Sequence, residues 1–353
     1  MARDGMEELA RLGQSVWLDN INRSLIASGR LRALVSQGLR GLTSNPSIFD
    51  AAVASGKDYD SLIASLKGKT AFEVYDALSI RDIRDAADAF SAVHRSSNGL
   101  DGYVSLEIDP RLARDTSGTV AEGLRLVAAV GRPNLMVKVP ATDEGFPAIE
   151  RLIAQGINVN VTLIFSLEQY ERCARAYLDG VKKCSRDPRS VRSVASVFVS
   201  RIDTAADPLL AAHPELKGTA AIANSAVIYA RYRELFFGTG WGELARGTNP
   251  QRVLWGSTGT KDPAYPDTKY VAGLAAKDTI NTIPEKTLQA FLDHGVAVAA
   301  LGPDATEARA ALAKIAAAGV DIDAITAKLL ADGVAAFVKS FEHLLATIEA
   351  KAQ

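Results

Sequence analysis

Residues 134–165 read NLMVKVPATDEGFPAIERLIAQGINVNVTLIF, and this segment decides the fold. LMVKV (135–139) and NVNVTLIF (158–165) are short, β-branched runs of the kind that form buried strands. Between them Phe146, Ile149, Leu152 and Ile153 recur at helical spacing, and Gly156 supplies a stop. A strand, an amphipathic helix and a second strand in that order make a βαβ unit, whose strands lie parallel. Such strands are normally apolar throughout, so Lys138 in the middle of the first run needs an explanation.

The same alternation runs along the chain. SVWLD (15–19), GLTS (41–44), YVSLEI (103–108), VASVFVS (194–200), RVLWGS (252–257) and DTINT (278–282) complete a set of eight strand candidates, with helical segments in every gap. Right-handed crossovers close such a set most naturally into a (β/α)8 TIM barrel, so the expected fold is α/β, one barrel domain over residues 1–353. Two gaps are long, and helical insertions are expected at about 46–102 and 201–251. After the eighth strand the Ala-rich segments 284–294, 305–318 and 321–348 predict terminal helices over about 284–348.

Hydrophobic residues make up 48% of the 353 and charged ones 23%, which excludes a disordered class. Forty Lys and Arg against 41 Asp and Glu leave a formal charge of −1, with no basic block to neutralise a phosphate backbone, so nucleic acid is not an expected partner. The opening MARDGMEELARLGQSVWLDN lacks the apolar core of a secretory signal, and no run approaches the roughly 18 apolar residues of a span. A cytoplasmic protein without a membrane partner is therefore expected. Cys173 and Cys184, the only cysteines, are too few for a disulfide framework or a thiolate metal site and read as reduced and structural.

In a barrel of this kind chemistry sits at the C-terminal ends of the strands, so polar residues there are the candidates. Asp19, Asn45, Glu107, Lys138, Asn160, Thr162, Ser196 and Ser257 come from seven different strands or the turns just beyond them. Asn160 with Thr162, and Ser196 with Phe198, share strand faces by their spacing of two. Singly, each has a structural reading: Lys138 in an ion pair or snorkelling to the rim, Asp19 and Asn45 as helix caps (the latter before Pro46), Glu107 as a neutralising partner. Their gathering at one end of the barrel favours chemistry.

A buried lysine with carboxylates and no metal suits a Schiff base. An amine attacks a ketone only when neutral, and an apolar setting disfavours its charged form. The resulting iminium is an electron sink that allows the adjacent C–C bond to break, while Glu107 and Asp19 fit the proton transfers. A metal-dependent route needs clustered ligands, but His94, His213, His294 and His343 all fall away from strand ends, so neither metal nor cofactor is expected. The stretch GSTGTKDP (256–263) offers hydroxyls, backbone N–H groups and Lys261 either to a phosphate or merely to a turn, without the spacing of a Walker A loop. Arg201 reads either as a fork for phosphate oxygens or as a surface ion-pair partner.

SVWLDNINR, GLTSNPSIF, VSLEIDP, NLMVKVPAT and GINVNVTLIFS, in this order and spacing, resemble the transaldolase family in its larger, actinobacterial-style branch, over nearly the whole chain. The resemblance implies a class I enzyme that moves a dihydroxyacetone unit from sedoheptulose 7-phosphate, or fructose 6-phosphate, to glyceraldehyde 3-phosphate, or erythrose 4-phosphate, in the non-oxidative pentose phosphate pathway. It implies Lys138 as the Schiff-base lysine, Asp19 as the acid/base at the C4 hydroxyl, and Glu107 with Thr162 as holders of a catalytic water. Asn45, Asn160 and Ser196 match contacts to the three-carbon unit, and Arg201 and Ser257 match phosphate contacts. Phe198 stands where related fructose-6-phosphate aldolases have a tyrosine, which argues for transfer over free aldol cleavage. Many transaldolases carry an arginine two residues beyond that serine; here Gly259 stands there, and Lys261 is expected to substitute. The partners expected are sugar phosphates, and the protein a monomer or homodimer. The rival readings are a fructose-6-phosphate aldolase-like enzyme and a sugar-phosphate-binding barrel without activity.

Overall fold

Every β-branched run forms a strand. In the computed structural model, which describes residues 5–238 and 247–353, these are β1 (Gln14–Asp19), β2 (Gly41–Thr43), β3 (Tyr103–Glu107), β4 (Leu135–Pro140), β5 (Val159–Ile164), β6 (Ser193–Phe198), β7 (Arg252–Gly256) and β8 (Thr279–Ile283). All pair in parallel with their sequence neighbours, and β8 closes on β1 through pairs such as Val16↔Asn281 and Trp17↔Thr282, completing the (β/α)8 barrel. Most strands start or stop a residue or two away from the β-branched runs, where the chain joins or leaves the ladder. β5 carries a register shift against β6 between Val161 and Ile164, and Leu163 within it has φ +59°, a left-handed value that a leucine rarely adopts.

Along the chain the helices are α1 (Gly5–Arg11), α2 (Arg23–Ala27), α3 (Arg30–Ser36), α4 (Pro46–Ser55), α5 (Asp60–Ser65), α6 (Ala71–Ser96), α7 (Thr116–Val130), α8 (Gly145–Ala154), α9 (Leu167–Lys182), α10 (Ser200–Ala206), α11 (Ala220–Phe237), α12 (Lys269–Gly273), α13 (Glu285–His294), α14 (Thr306–Ala317) and α15 (Ile322–Ala352). Their ends follow from local chemistry. α8 stops where Gly156 takes φ +77°, and α6 starts at a capping box in which Thr70 and Glu73 satisfy one another's backbone N–H. Between β2 and β3 run α4, α5 and α6; between β6 and β7 run α10 and α11, and residues 239–246 of that stretch lie outside the described residues. None of the described helices is long and apolar enough to cross a membrane.

Inside the barrel the pleat builds two layers. Trp17, Tyr103, Met136, Val194, Leu254 and Ile280 pack together as an apolar floor. Two residues further along the same strands, and hence on the same face, stand Asp19, Ser105, Lys138, Ser196, Gly256 and Thr282. This polar layer is thus set directly above an apolar plug. Gly41 on β2 makes room for that plug: a Cβ there would lie 2.4 Å from the Trp17 ring.

One helix departs from the usual outer ring. α15 packs along α4, with Ser340 Oγ 2.8 Å from Ser47 Oγ and His343 Nδ1 2.8 Å from Asp50 Oδ1. Lys351 Nζ donates to Gly56 O at 2.9 Å and pairs with Asp60 at 2.7 Å. The buried Phe341 ring stands edge-on to Tyr75, centroids 5.0 Å apart.

Candidate active site

The barrel register puts Lys138 between Glu107 on one neighbouring strand and Asn160 on the other. Its side chain is 5% exposed, and so is that of Glu107. The Nζ donates to the backbone carbonyl of Ser44 at 2.8 Å and lies 2.9 Å from Glu107 Oε2, a close ion contact without the angular geometry of a hydrogen bond. Burial pushes the Glu107 carboxyl above the usual range, against the pull of Lys138 beside it.

Asp19 ends β1 in the same layer. Its Oδ1 accepts from Thr43 Oγ1 at 2.8 Å, and Thr43 in turn lies 2.7 Å from Thr282 Oγ1, so three adjacent strands are tied at their ends. Burial again raises this carboxyl, opposed first by Lys138, then by the Thr43 hydrogen bond, Lys261 and Arg201. Two carboxyls raised by burial beside one buried amine are suited to exchanging protons with it and with a bound substrate.

Asp19, Asn45, Lys138, Ser196, Phe198, Arg201, Ser257 and Lys261 all line one cavity of about 170 Å³ at the C-terminal end of the barrel. Asn45 also caps α4: its Oδ1 accepts from Ile48 N at 3.0 Å, with Pro46 at the start of the helix, which leaves the amide NH2 as a donor. The cap reading of this residue therefore holds, at a position that also faces the cavity. Asp19 caps no helix. Arg201 lies on α10 with its guanidinium 5.5 Å from the centroid of the Phe198 ring, and burial lowers its pKa against the opposing effect of Asp19. Ser257 has φ +53° and its Oγ sits 3.0 Å from Ser200 Oγ, a strained turn of the sort that collects at functional sites. Lys261 is exposed at the rim.

Glu107, Asn160 and Thr162 lie behind this lining, all buried. Asn160 Oδ1 accepts from Ser196 Oγ at 2.6 Å while its Nδ2 donates to Ser105 Oγ at 3.1 Å, which fixes the amide's orientation and presents Ser196 to the cavity. Thr162 Oγ1 has no protein partner. Among the described residues no three His, Cys, Asp or Glu side chains gather closely enough to hold a metal ion.

Some participants escaped the sequence reading. Thr43 and Thr282 share the strand faces of Gly41 and Ile280, so the rule of two applied to Asn160 and Thr162 would have found them. The Ser44 carbonyl is main chain and gives no signal by residue type. Phe337 also lines the cavity, from the middle of α15, where the sequence shows only an Ala-rich amphipathic run.

The family model for transaldolase/fructose-6-phosphate aldolase matches residues 16–348. A transaldolase of Neisseria gonorrhoeae is 44% identical over 349 residues, covering 97% of this chain and 99% of that protein. Transaldolases of Saccharopolyspora erythraea and Thiobacillus denitrificans are each 47% identical over 354 residues, covering 97% of this chain and 96% and 99% of theirs.

Proposed function

This chain belongs to the transaldolase/fructose-6-phosphate aldolase family, and from that premise we infer that it is a transaldolase, a transferase working through a lysine Schiff base. One observation carries the reading: an amine buried between Glu107 and the Ser44 carbonyl opens onto a cavity that Asp19 also lines. Lys138, its proton passed to the Glu107 carboxylate beside it, attacks the C2 carbonyl of a ketose phosphate, and loss of water leaves an iminium. Asp19 takes the C4 hydroxyl proton, the C3–C4 bond breaks, and the aldose phosphate departs while its electrons form an enamine on Lys138. An acceptor aldose phosphate then bonds to C3, Asp19 returns the proton to the new hydroxyl, and hydrolysis frees the product ketose.

The remaining residues supply position. Glu107 has carboxylate acceptors and Thr162 an unpaired hydroxyl, a set fitted to hold the water that is lost and regained. Asn45 and Ser196 bind the hydroxyls of the three-carbon unit, with Asn160 behind them orienting Ser196; Arg201, Ser257 and Lys261 take the phosphate, with Lys261 in place of the family's usual arginine. The donor is sedoheptulose 7-phosphate or fructose 6-phosphate and the acceptor glyceraldehyde 3-phosphate or erythrose 4-phosphate. The chain acts as one barrel domain in the cytoplasm, as a monomer or homodimer, with sugar phosphates as partners and neither nucleic acid nor membrane.

Borohydride reduction in the presence of fructose 6-phosphate should trap an adduct on Lys138, located by peptide mass. Fructose 6-phosphate and erythrose 4-phosphate should yield sedoheptulose 7-phosphate. A Lys138→Met protein that still forms the reduced adduct refutes the assignment of the amine, and acceptor-independent turnover at the same rate favours the aldolase.

A further inference from the structure

The wall of the cavity has one distant contributor. Nearly every other lining residue lies on a strand or within the few residues that follow one, whereas Phe337 comes from α15. It is 5% exposed and belongs to a buried stripe with Gly333, Phe341, Leu344 and Ile348. At Gly333 the helix comes so close to the barrel that a Cβ would lie 3.0 Å from Leu163 Cδ2. One turn later Phe337 meets the cavity, and the next turn is fastened through Ser340 to Ser47, itself a lining residue. The ring is therefore held in place from both sides.

We propose that Phe337 is a specificity-determining residue that keeps water from the enamine and so commits the three-carbon unit to an aldehyde acceptor. The proposal rests on the transaldolase reading. The enamine has two fates. It can attack an acceptor aldehyde, or water can discharge it: a proton adds at C3, the iminium so formed takes water at C2, and the carbinolamine collapses to free dihydroxyacetone and the Lys138 amine. Keeping bulk water off C3 denies the enamine that first proton, while the single water held by Glu107 and Thr162 remains for hydrolysis of the product, so the second route is suppressed. The Phe198 ring already has Phe165 at 5.6 Å and Arg201 at 5.5 Å; Phe337 adds apolar cover that no βα loop supplies.

The test uses the full chain with fructose 6-phosphate. Transfer is read as sedoheptulose 7-phosphate formed from erythrose 4-phosphate, and discharge as dihydroxyacetone released without acceptor. Phe337→Ala should raise the ratio of discharge to transfer several-fold, Phe337→Val should raise it less, and Phe337→Met, which refills the space, should restore the parent ratio. Phe341→Leu loosens the same helix away from the cavity; it should lower the melting temperature and leave the ratio alone. An unmoved ratio in Phe337→Ala and Phe337→Val, or an equal rise in Phe341→Leu, overturns the proposal. A parent protein that transfers nothing is the different failure, that of the transaldolase reading itself.

Discussion

Replacing Lys138 by Met removes a charge from a site where its partner has nowhere to go. Both side chains are 5% exposed, so Glu107 cannot turn to solvent, and the Ser44 carbonyl loses the donor 2.8 Å away. Breaking a buried pair by deleting one partner typically costs about 3–5 kcal/mol. Part of that cost depends on pH. Burial already holds the Glu107 carboxyl above its usual range, and Lys138 is the main influence keeping it from rising further. In the variant the folded protein therefore keeps a proton that the unfolded chain releases, and stability falls as pH rises, by at most about 1.4 kcal/mol per pH unit. The gap between variant and parent opens over the interval between their two folded-state values. Below that interval only the lost donor should be felt, roughly 1–3 kcal/mol. Urea denaturation at about pH 5 and about pH 8 should thus show a larger deficit at the higher pH. The double variant Lys138→Met, Glu107→Gln should lose that dependence. A deficit equal at both values, or the same slope in the double variant, would falsify the account of Glu107 as a carboxyl restrained by its neighbour.

Three further outcomes are expected. Asp19→Asn should still give the borohydride adduct but transfer some 10²–10⁴-fold more slowly; because burial raises this carboxyl, the parent loses stability as pH climbs from the ordinary carboxylate range through the folded-state value, so the variant's melting temperature should gain on the parent's across that interval and then level off. Lys261→Met should lower kcat/KM for fructose 6-phosphate about ten- to a hundredfold, the value of one charged contact of roughly 1.5–3 kcal/mol, with Lys261→Arg close to the parent; no change in the Met variant would remove Lys261 from the phosphate site. Gly41→Ala forces a methyl to within 2.4 Å of the Trp17 ring and should cost about 1–3 kcal/mol in urea denaturation; an unshifted midpoint would mean the floor of the barrel yields more easily than its packing implies.

What could be read from the sequence was whatever depends on local pattern. The eight strands were legible because β-branched runs contrast with amphipathic gaps, and closure followed from their number. The polar layer was legible wherever a hydrophilic residue interrupted an apolar strand, as Lys138 does between Val137 and Val139. Contacts made across the barrel were not. That Thr43 joins Asp19 to Thr282 follows from the closure of β8 on β1, and that Asn160 orients Ser196 follows from the stagger of β5 and β6. The positive φ values at Leu163 and Ser257 had no residue-type signal, since neither is a glycine or asparagine. Phe337 was hidden because its place is decided by how α15 docks on α4, and nothing within the helix encodes its target.

The bond between Ser47 and Ser340 spans 293 positions. During synthesis on the ribosome the first strands and the amine that follows them emerge long before the segment that walls the cavity. A product that ends before α15 lacks Phe337, which alone among the cavity's lining residues comes from beyond β8 and the turn after it. The last stretch of chain to be made is thus the one that finishes the cavity's wall.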